Sequence, residues 1–316
     1  MRKALLTPLL LSIFIFSAQA QNMPKDPPIR FETKPNYKKE KKIELKYIES
    51  WFSYIPATTY TMADEQRVSA NGFYILRFEV PNMLYKLFIH DLEAKGKMDE
   101  ITLAMPDTNA WGEHNQPYVD TYFRAPKFNN YPVVSVSRNG VNMFCSWLGE
   151  QVKQLKLKAW KGKTVSFRLP SEVEWMIAAS GGDTNAVYAW KGPYMRMGNP
   201  PFTGDYKANF RRVGDGDILR GEDGKLIVAK NTNKKYRSHF VGDYTADITA
   251  PINNYWPNAY GLYCMTGNVR EMVVEEGFTK GGGWIDPGGE CMIDFRNTYQ
   301  KKGYPCEGFR IVAIVK

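Results

Sequence analysis

The chain has 316 residues, 43% apolar and 24% charged, and its 42 basic and 33 acidic side chains leave a formal charge of +9. That length suits one large domain or two small ones and buries a core without disulfides. The 26 Gly, 19 Pro and 14% aromatic residues show no repeat period, which excludes collagen, coiled coil and wholesale disorder. The 8 Trp, 19 Tyr and 17 Phe point instead to a loop-rich fold pinned by large side chains.

Arg2 and Lys3 precede an apolar run from Ala4 to Phe16, and Ala18-Gln19-Ala20 follows with small residues at the two positions a signal peptidase reads. Residues 1–20 are therefore expected to be a cleavable signal peptide, with Gln21 as the mature N-terminus and the protein periplasmic or secreted. Gln21 stands where a lipoprotein carries cysteine. No later run approaches the roughly 18 apolar residues of a membrane span, so no transmembrane helix is expected in the mature chain. Loss of Arg2 and Lys3 leaves a charge of +7, concentrated at Lys38–Lys42, Lys153–Lys163 and Lys234–Arg237. These runs read first as solvated faces and second as contacts for an anionic envelope polymer or a protein partner in the envelope. Nucleic acid is not an expected partner of an exported chain.

Residues 21–48 hold Pro24, Pro27, Pro28 and Pro35 among charges and are expected to form an extended arm, with a single domain over 49–316. Phe73–Val80 alternates like a strand, and Pro81-Asn82 opens a helix whose Leu84, Leu87, Phe88 and Leu92 share a face. Residues 105–130 read as a long packed loop, and Val133–Val136 as a short strand. The next helix carries Val141, Phe144, Cys145, Leu148, Val152 and Leu155 on one stripe. Ser171-Glu172-Val173-Glu174 has the form of a capping box. Beyond Gly181 the chain is rich in Gly, Asp and Lys to about residue 250, and Asp215-Gly216-Asp217 and Glu222-Asp223-Gly224 read as turns rather than calcium loops.

Chemistry-bearing motifs are sparse. The three histidines, His90, His114 and His239, are far apart, and no CxxC, GxSxG, Walker loop or dinucleotide fingerprint occurs. Cys145 reads as a buried thiol on its helix stripe. Cys264, Cys291 and Cys306 remain, and in an oxidising compartment four cysteines permit three pairings. Cys291 and Cys306 flank a short Gly/Pro-containing segment, either as a disulfide or with Cys291 as a reactive thiol.

Four strings occur in order: Arg168-Leu169-Pro170-Ser171-Glu172-Val173-Glu174-Trp175, then Gly261 to Met272 with Gly267-Asn268-Val269-Arg270-Glu271 inside it, then Lys280-Gly281-Gly282-Gly283-Trp284, and Gly308-Phe309-Arg310. Tyr188-Ala189-Trp190 with Gly192, and Ala208-Asn209-Phe210, fit the same series. The ordered set resembles the formylglycine-generating enzyme, or sulfatase-modifying factor, family from about Trp51 to the C-terminus. The resemblance implies an α+β fold akin to C-type lectins, one domain with much irregular chain, in which Arg168, Ser171, Glu174, Trp175, Asn268, Gly282, Trp284 and Arg310 are structural.

Active members hold copper between two cysteines after the glycine turn and oxidise a substrate cysteine to formylglycine. Here the first position falls on Asp286 and the second on Cys291, so the soft thiolate pair that Cu(I) requires is incomplete. The iron-dependent branch needs a histidine cluster, which this chain lacks. Structural calcium is also implied: one site by the carbonyls of Gly267 and Val269 with Glu271, where Cys264 replaces an oxygen ligand, and another by Asn209, the Phe210 carbonyl and Asp243. The segment from Pro106 to Val134 is similar to a branch that includes lipoproteins of gliding motility and type IX secretion. The expected function is an exported family member inactive as an oxidase and acting as an envelope-associated binding or assembly module. The alternatives are an active metal-dependent oxidase using Cys291, and a lectin-like glycan-binding module.

Overall fold

The computed structural model describes residues 37–316 apart from 63, 115, 156, 212–215, 221–225, 231–247 and 301–302. The signal-peptide reading of residues 1–20, the first part of the arm, Lys234–Arg237, His239 and Asp243 therefore lie outside the described residues. The arm's second part does not stay extended: α1 (Tyr37–Lys46) is a helix. It holds because it has something to pack on: Leu45 is buried, and Lys41 pairs with Asp91 on the helix that follows.

The first sheet has the order β1-β4-β12-β5, all antiparallel, with β1 at Phe52–Ile55, β4 at Phe73–Leu76, β5 at Val165–Arg168 and β12 at Val312–Val315. The C-terminal strand is thus central, and Val312 faces Ile75 on one side and Arg168 on the other. Between β1 and β4 lies a small ribbon of β2 (Thr58–Thr61) and β3 (Arg67–Ala70). The helix expected after Pro81 is α2 (Asn82–Ala94), with Leu84, Leu87, Phe88 and Leu92 all buried. A short α3 (Met98–Ala104) follows it.

The expected loop 105–130 is packed, but it is built of single helical turns at Thr108–Glu113, α4 (Tyr118–Thr121) and Pro126–Phe128. Each proline starts or limits a turn, and Trp111, Tyr122 and Phe128 pin the turns to one core cluster. The expected strand at Val133–Val136 is not one. Its backbone bonds go one at a time to Val80, Asp107 and Glu307, so no ladder forms. The helix α5 (Arg138–Lys153) is capped by Ser137, whose hydroxyl accepts from the Gly140 amide at 3.0 Å. Gly140 is required there, since a Cβ would lie 2.7 Å from the Tyr85 hydroxyl. Leu155 falls just past the helix end.

The capping box forms as expected on α6 (Glu172–Ala179). Arg168 grips Glu174 with two bonds of 2.6 and 2.7 Å, tying β5 to the helix start. Trp175, Met176, Ile177 and Ala178 are fully buried against Ile75 and Val312. In the Gly-rich region, β6 (Gly216–Arg220) and β7 (Leu226–Lys230) form a hairpin whose strands are too short and irregular in pattern to be read ahead. The second sheet has the order β10-β9-β8-β11, from β8 (Arg270–Met272), β9 (Phe278–Lys280), β10 (Asn297–Thr298) and β11 (Glu307–Gly308).

Candidate functional site

The glycine run Gly281-Gly282-Gly283 leaves β9 with φ of +86° and +63° at its first two residues, the left-handed region that favours glycine. Space demands glycine as well. A Cβ on Gly282 would lie 2.5 Å from the Cys291 sulfur, and one on Gly283 would lie 2.1 Å from that of Cys306. The two thiols are therefore pressed against adjacent residues of one backbone turn.

Asp286 closes that turn. Its amide donates to the Gly283 carbonyl at 2.9 Å, and its carboxylate accepts from the Gly283 amide at 2.7 Å. The same carboxylate takes both prongs of the Arg270 guanidinium, Nε at 2.7 Å and Nη2 at 2.5 Å. The side chains are only 11% and 3% exposed, so this is a buried, bidentate ion pair. Tyr304 covers the guanidinium at 5.4 Å, and the Arg270 amide donates to the Cys306 carbonyl.

All four cysteines are free and buried. No disulfide joins Cys291 to Cys306. Burial, then the neighbouring Asp286 charge, pushes the Cys291 thiol well above its ordinary pKa. Burial and Asp286 raise Cys306 too, against the pull of Arg270 and backbone hydrogen bonds at Ile285 and Arg270. Both shifts favour the neutral thiol over the nucleophilic thiolate. Cys145 is a buried thiol, as its helix stripe implied.

Behind the turn lies a second charged layer. Glu271 accepts from Arg310 through both oxygens, each at 2.6 Å, and from the Trp175 indole at 2.7 Å. Asn268, at φ +67°, donates to Glu79 at 2.9 Å and accepts from the Ala250 amide at 2.6 Å and from Asn209 at 3.3 Å. Asn209 also donates to the Ile248 carbonyl. Gly267 allows this approach, since a Cβ there would sit 2.3 Å from the Asn209 carbonyl oxygen. Val269 is buried in the Trp111–Tyr122 cluster and Phe210 packs edge-on to Tyr206. Trp284 stacks on Trp111 and donates to the Pro305 carbonyl.

The metal sets can be tested against these bonds. Copper does not fit: the first ligand position is a carboxylate already held by an arginine, so the two positions offer one sulfur where Cu(I) requires a thiolate pair. Calcium does not fit the Glu271 set either, because a guanidinium occupies the place of the cation and Cys264 directs its sulfur at the Ile252 and Asn254 carbonyls. The Asn209 set is brought together only as far as Phe210, Asp243 being outside the described residues. Among the described residues no three His, Cys, Asp or Glu side chains converge to hold a metal.

Arg270 and Glu79 are the residues sequence reasoning missed. The signal for Arg270 was a cation between Val269 and Met272 in a glycine-rich stretch, which demands a buried counter-ion.

A sulfatase-modifying factor enzyme 1-like domain model matches residues 52–314. The chain is similar to the formylglycine-generating enzyme of Mus musculus, 24% identical over 69% of this chain and 56% of that one. It is 31% identical to the formylglycine-generating enzyme of Thermomonospora curvata over 45% of this chain and 32% of the other. The inactive Cα-formylglycine-generating enzyme 2 of Bos taurus is 30% identical over 49% and 39%. The chain thus spans from about a third to somewhat over half of the length of these curated relatives. Among solved structures, PvdO from Pseudomonas aeruginosa superposes with a TM-score of 0.51 at 20% identity, covering 83% of this chain and 93% of that one. This likeness supports the fold.

Proposed function

Since the chain belongs to the sulfatase-modifying factor enzyme 1-like family, we propose that it is a member without copper-dependent oxidase activity, exported and working through its surface as a binding or assembly module. One observation carries the reading: Asp286 stands at the first copper position and is locked to Arg270 in a buried bidentate pair. A metal arriving there meets a cation, not a ligand. Restoring the pair by Asp286→Cys alone does not recreate the site, because it strands the Arg270 charge.

The family match includes both active enzymes and an inactive one, so it leaves activity to the site. The decisive assay incubates the mature protein with copper, reductant, oxygen and a cysteine-containing sulfatase-motif peptide, and follows formylglycine by mass. No conversion is expected. Copper-dependent turnover that disappears in Cys291→Ser overturns the proposal and reinstates the oxidase reading.

Export rests on residues 1–20, and intact-mass measurement of the secreted form should show Gln21 at the N-terminus. No helix among the described residues is long and apolar enough to cross a membrane. The basic surface supports a partner in the envelope that is a protein or an anionic polymer. Calcium at Asn209, Phe210 and Asp243 remains part of the proposal: chelator should lower the melting temperature of the wild type, and leave Asn209→Ala unmoved. A wild-type melt indifferent to chelator removes that site.

A further inference from the structure

The positive charge of this chain is concentrated in two stretches. Residues 37–54 and 153–164 together carry ten lysines and three glutamates, a net of +7. That equals the whole charge left once Arg2 and Lys3 are lost, so the rest of the mature chain, with thirty basic and thirty acidic side chains, is neutral. An ordinary solvated surface intersperses the two signs instead.

The fold brings the two stretches together. The Glu49 carboxylate accepts from the amides of Lys158 and Ala159, at 3.1 and 2.9 Å, so the acid nearest the second stretch is turned onto backbone. Leu157 and Trp160 are buried, and Trp160 meets Phe52 edge to face at 5.4 Å. Between and beyond these anchors Lys158, Lys161 and Lys163 are exposed. At the far end Thr164 exchanges two backbone bonds with Lys316, at 2.9 and 3.0 Å. The loop is thus pinned along its length with its lysines outward. Lys41 and Lys153 are paired with Asp91 and Glu150, but Lys46, Lys158, Lys161 and Lys163 enter no ion pair among the described residues.

Two exposed tyrosines flank the lysines. Tyr47 is 46% exposed with the Lys46 ammonium over its ring at 5.2 Å. Tyr54 is 55% exposed and is joined to Trp160 through Tyr74, with ring separations of 5.1 and 6.0 Å. The cations of both stretches are lysine throughout, with no arginine. Lysine is a flexible point charge without the planar fork that grips one carboxylate or phosphate, so it suits a diffuse anionic surface. A fluid plane of phosphate headgroups lets each ammonium find its own phosphate. Tyrosine rings settle at the same level, with the ring toward the apolar layer and the hydroxyl in water. A soluble polyanion offers the charge but no apolar layer for the rings.

We propose that this face docks the protein on a bilayer containing anionic phospholipid, through Lys46, Lys158, Lys161 and Lys163, with Tyr47 and Tyr54 at the headgroup level. Each lysine brought near such a surface strengthens the attachment by about fivefold. Several together hold a chain on a membrane that none of its described helices can cross. The inference rests on the reading of the chain as an exported module that works through its surface, and it names the partner.

The test is co-sedimentation of the mature protein with vesicles of phosphatidylcholine alone and of equal parts phosphatidylcholine and phosphatidylglycerol. Partitioning onto the mixed vesicles is expected, with the neutral ones at least roughly tenfold weaker. Salt at ~1 M should release the protein, because the screening length falls to about 3 Å. Lys161→Gln/Lys163→Gln should weaken partitioning by roughly tenfold or more with an unchanged melting temperature. Lys127→Gln/Lys191→Gln, which removes two exposed lysines elsewhere, should change it by less than about twofold. No partitioning, equal partitioning onto neutral vesicles, or equal effects of the two double variants overturns the proposal. Binding of inorganic polyphosphate without binding of vesicles assigns the face to a soluble polyanion and overturns it too. Failure here leaves the loss of oxidase chemistry standing, because the peptide-conversion assay reports on that separately.

Discussion

Removing Asp286 should be among the most damaging single changes in this protein. Asp286→Ala leaves the Arg270 guanidinium, with only 11% of its side chain exposed, facing a cavity. Breaking a buried pair from one side costs about 3–5 kcal/mol, since the remaining charge is neither solvated nor matched. The Gly283 amide also loses its acceptor, a penalty of about 1–3 kcal/mol that overlaps the first because both groups share one carboxylate. Tyr304 over the guanidinium offsets part of this. The net loss is therefore on the order of 3–5 kcal/mol, a large fraction of the roughly 5–15 kcal/mol that holds a domain folded. The assay is urea denaturation of the mature wild type, Asp286→Ala, Arg270→Met, and an Arg270→Met/Asp286→Leu double variant. The double variant should recover most of the loss, because an apolar pair of similar volume leaves no charge behind. A cost below about 1 kcal/mol for Asp286→Ala, or a double variant no better than the single, would refute a buried structural pair. So would a cost that vanishes in high salt, since screening reaches exposed pairs first.

Ser171→Ala should cost about 0.5–2 kcal/mol, read from the denaturation midpoint, because it removes the cap that accepts from the Glu174 amide at 3.1 Å. Gly283→Ala should destabilise by about 1–3 kcal/mol or more through collision with the Cys306 sulfur 2.1 Å away, and Cys306→Ala should recover part of it in the double variant. Burial pushes Glu79 from 4.5 up to about 8, against the lowering pull of Arg310. The unfolded chain releases that proton near 4.5 and the folded one near 8, so this group's contribution to stability falls as pH rises between those values and levels off above them. Glu79→Gln keeps the bond from Asn268 and should flatten that decline, and a stability–pH profile parallel to the wild type's would show Glu79 to be ionised in the fold.

Local signals in the chain settled whatever depends on near neighbours. The Ser171–Glu174 box, the α5 stripe with buried Cys145, and the α2 face after Pro81 need only the spacing of adjacent turns, and all three form. The ordered motifs from Arg168 to Arg310 carried the α+β fold and the family, because glycines and charged residues at those intervals serve contacts that the whole fold shares. Sequence also placed Asp286 at the first copper position. It did not say what Asp286 does there. Its partner, Arg270, lies 16 residues away on β8, and only the pairing of β8 with β9 beside the glycine turn joins them. The family resemblance implies Glu271 as a calcium ligand, yet Arg310, 39 residues on, takes both its oxygens. The helix at 37–46 and the turns of 105–130 were likewise decided by what they pack against. Short-range hydrogen bonds and stripes are written in adjacent residues, but the fate of a buried charge is set by whichever distant group the fold brings to it.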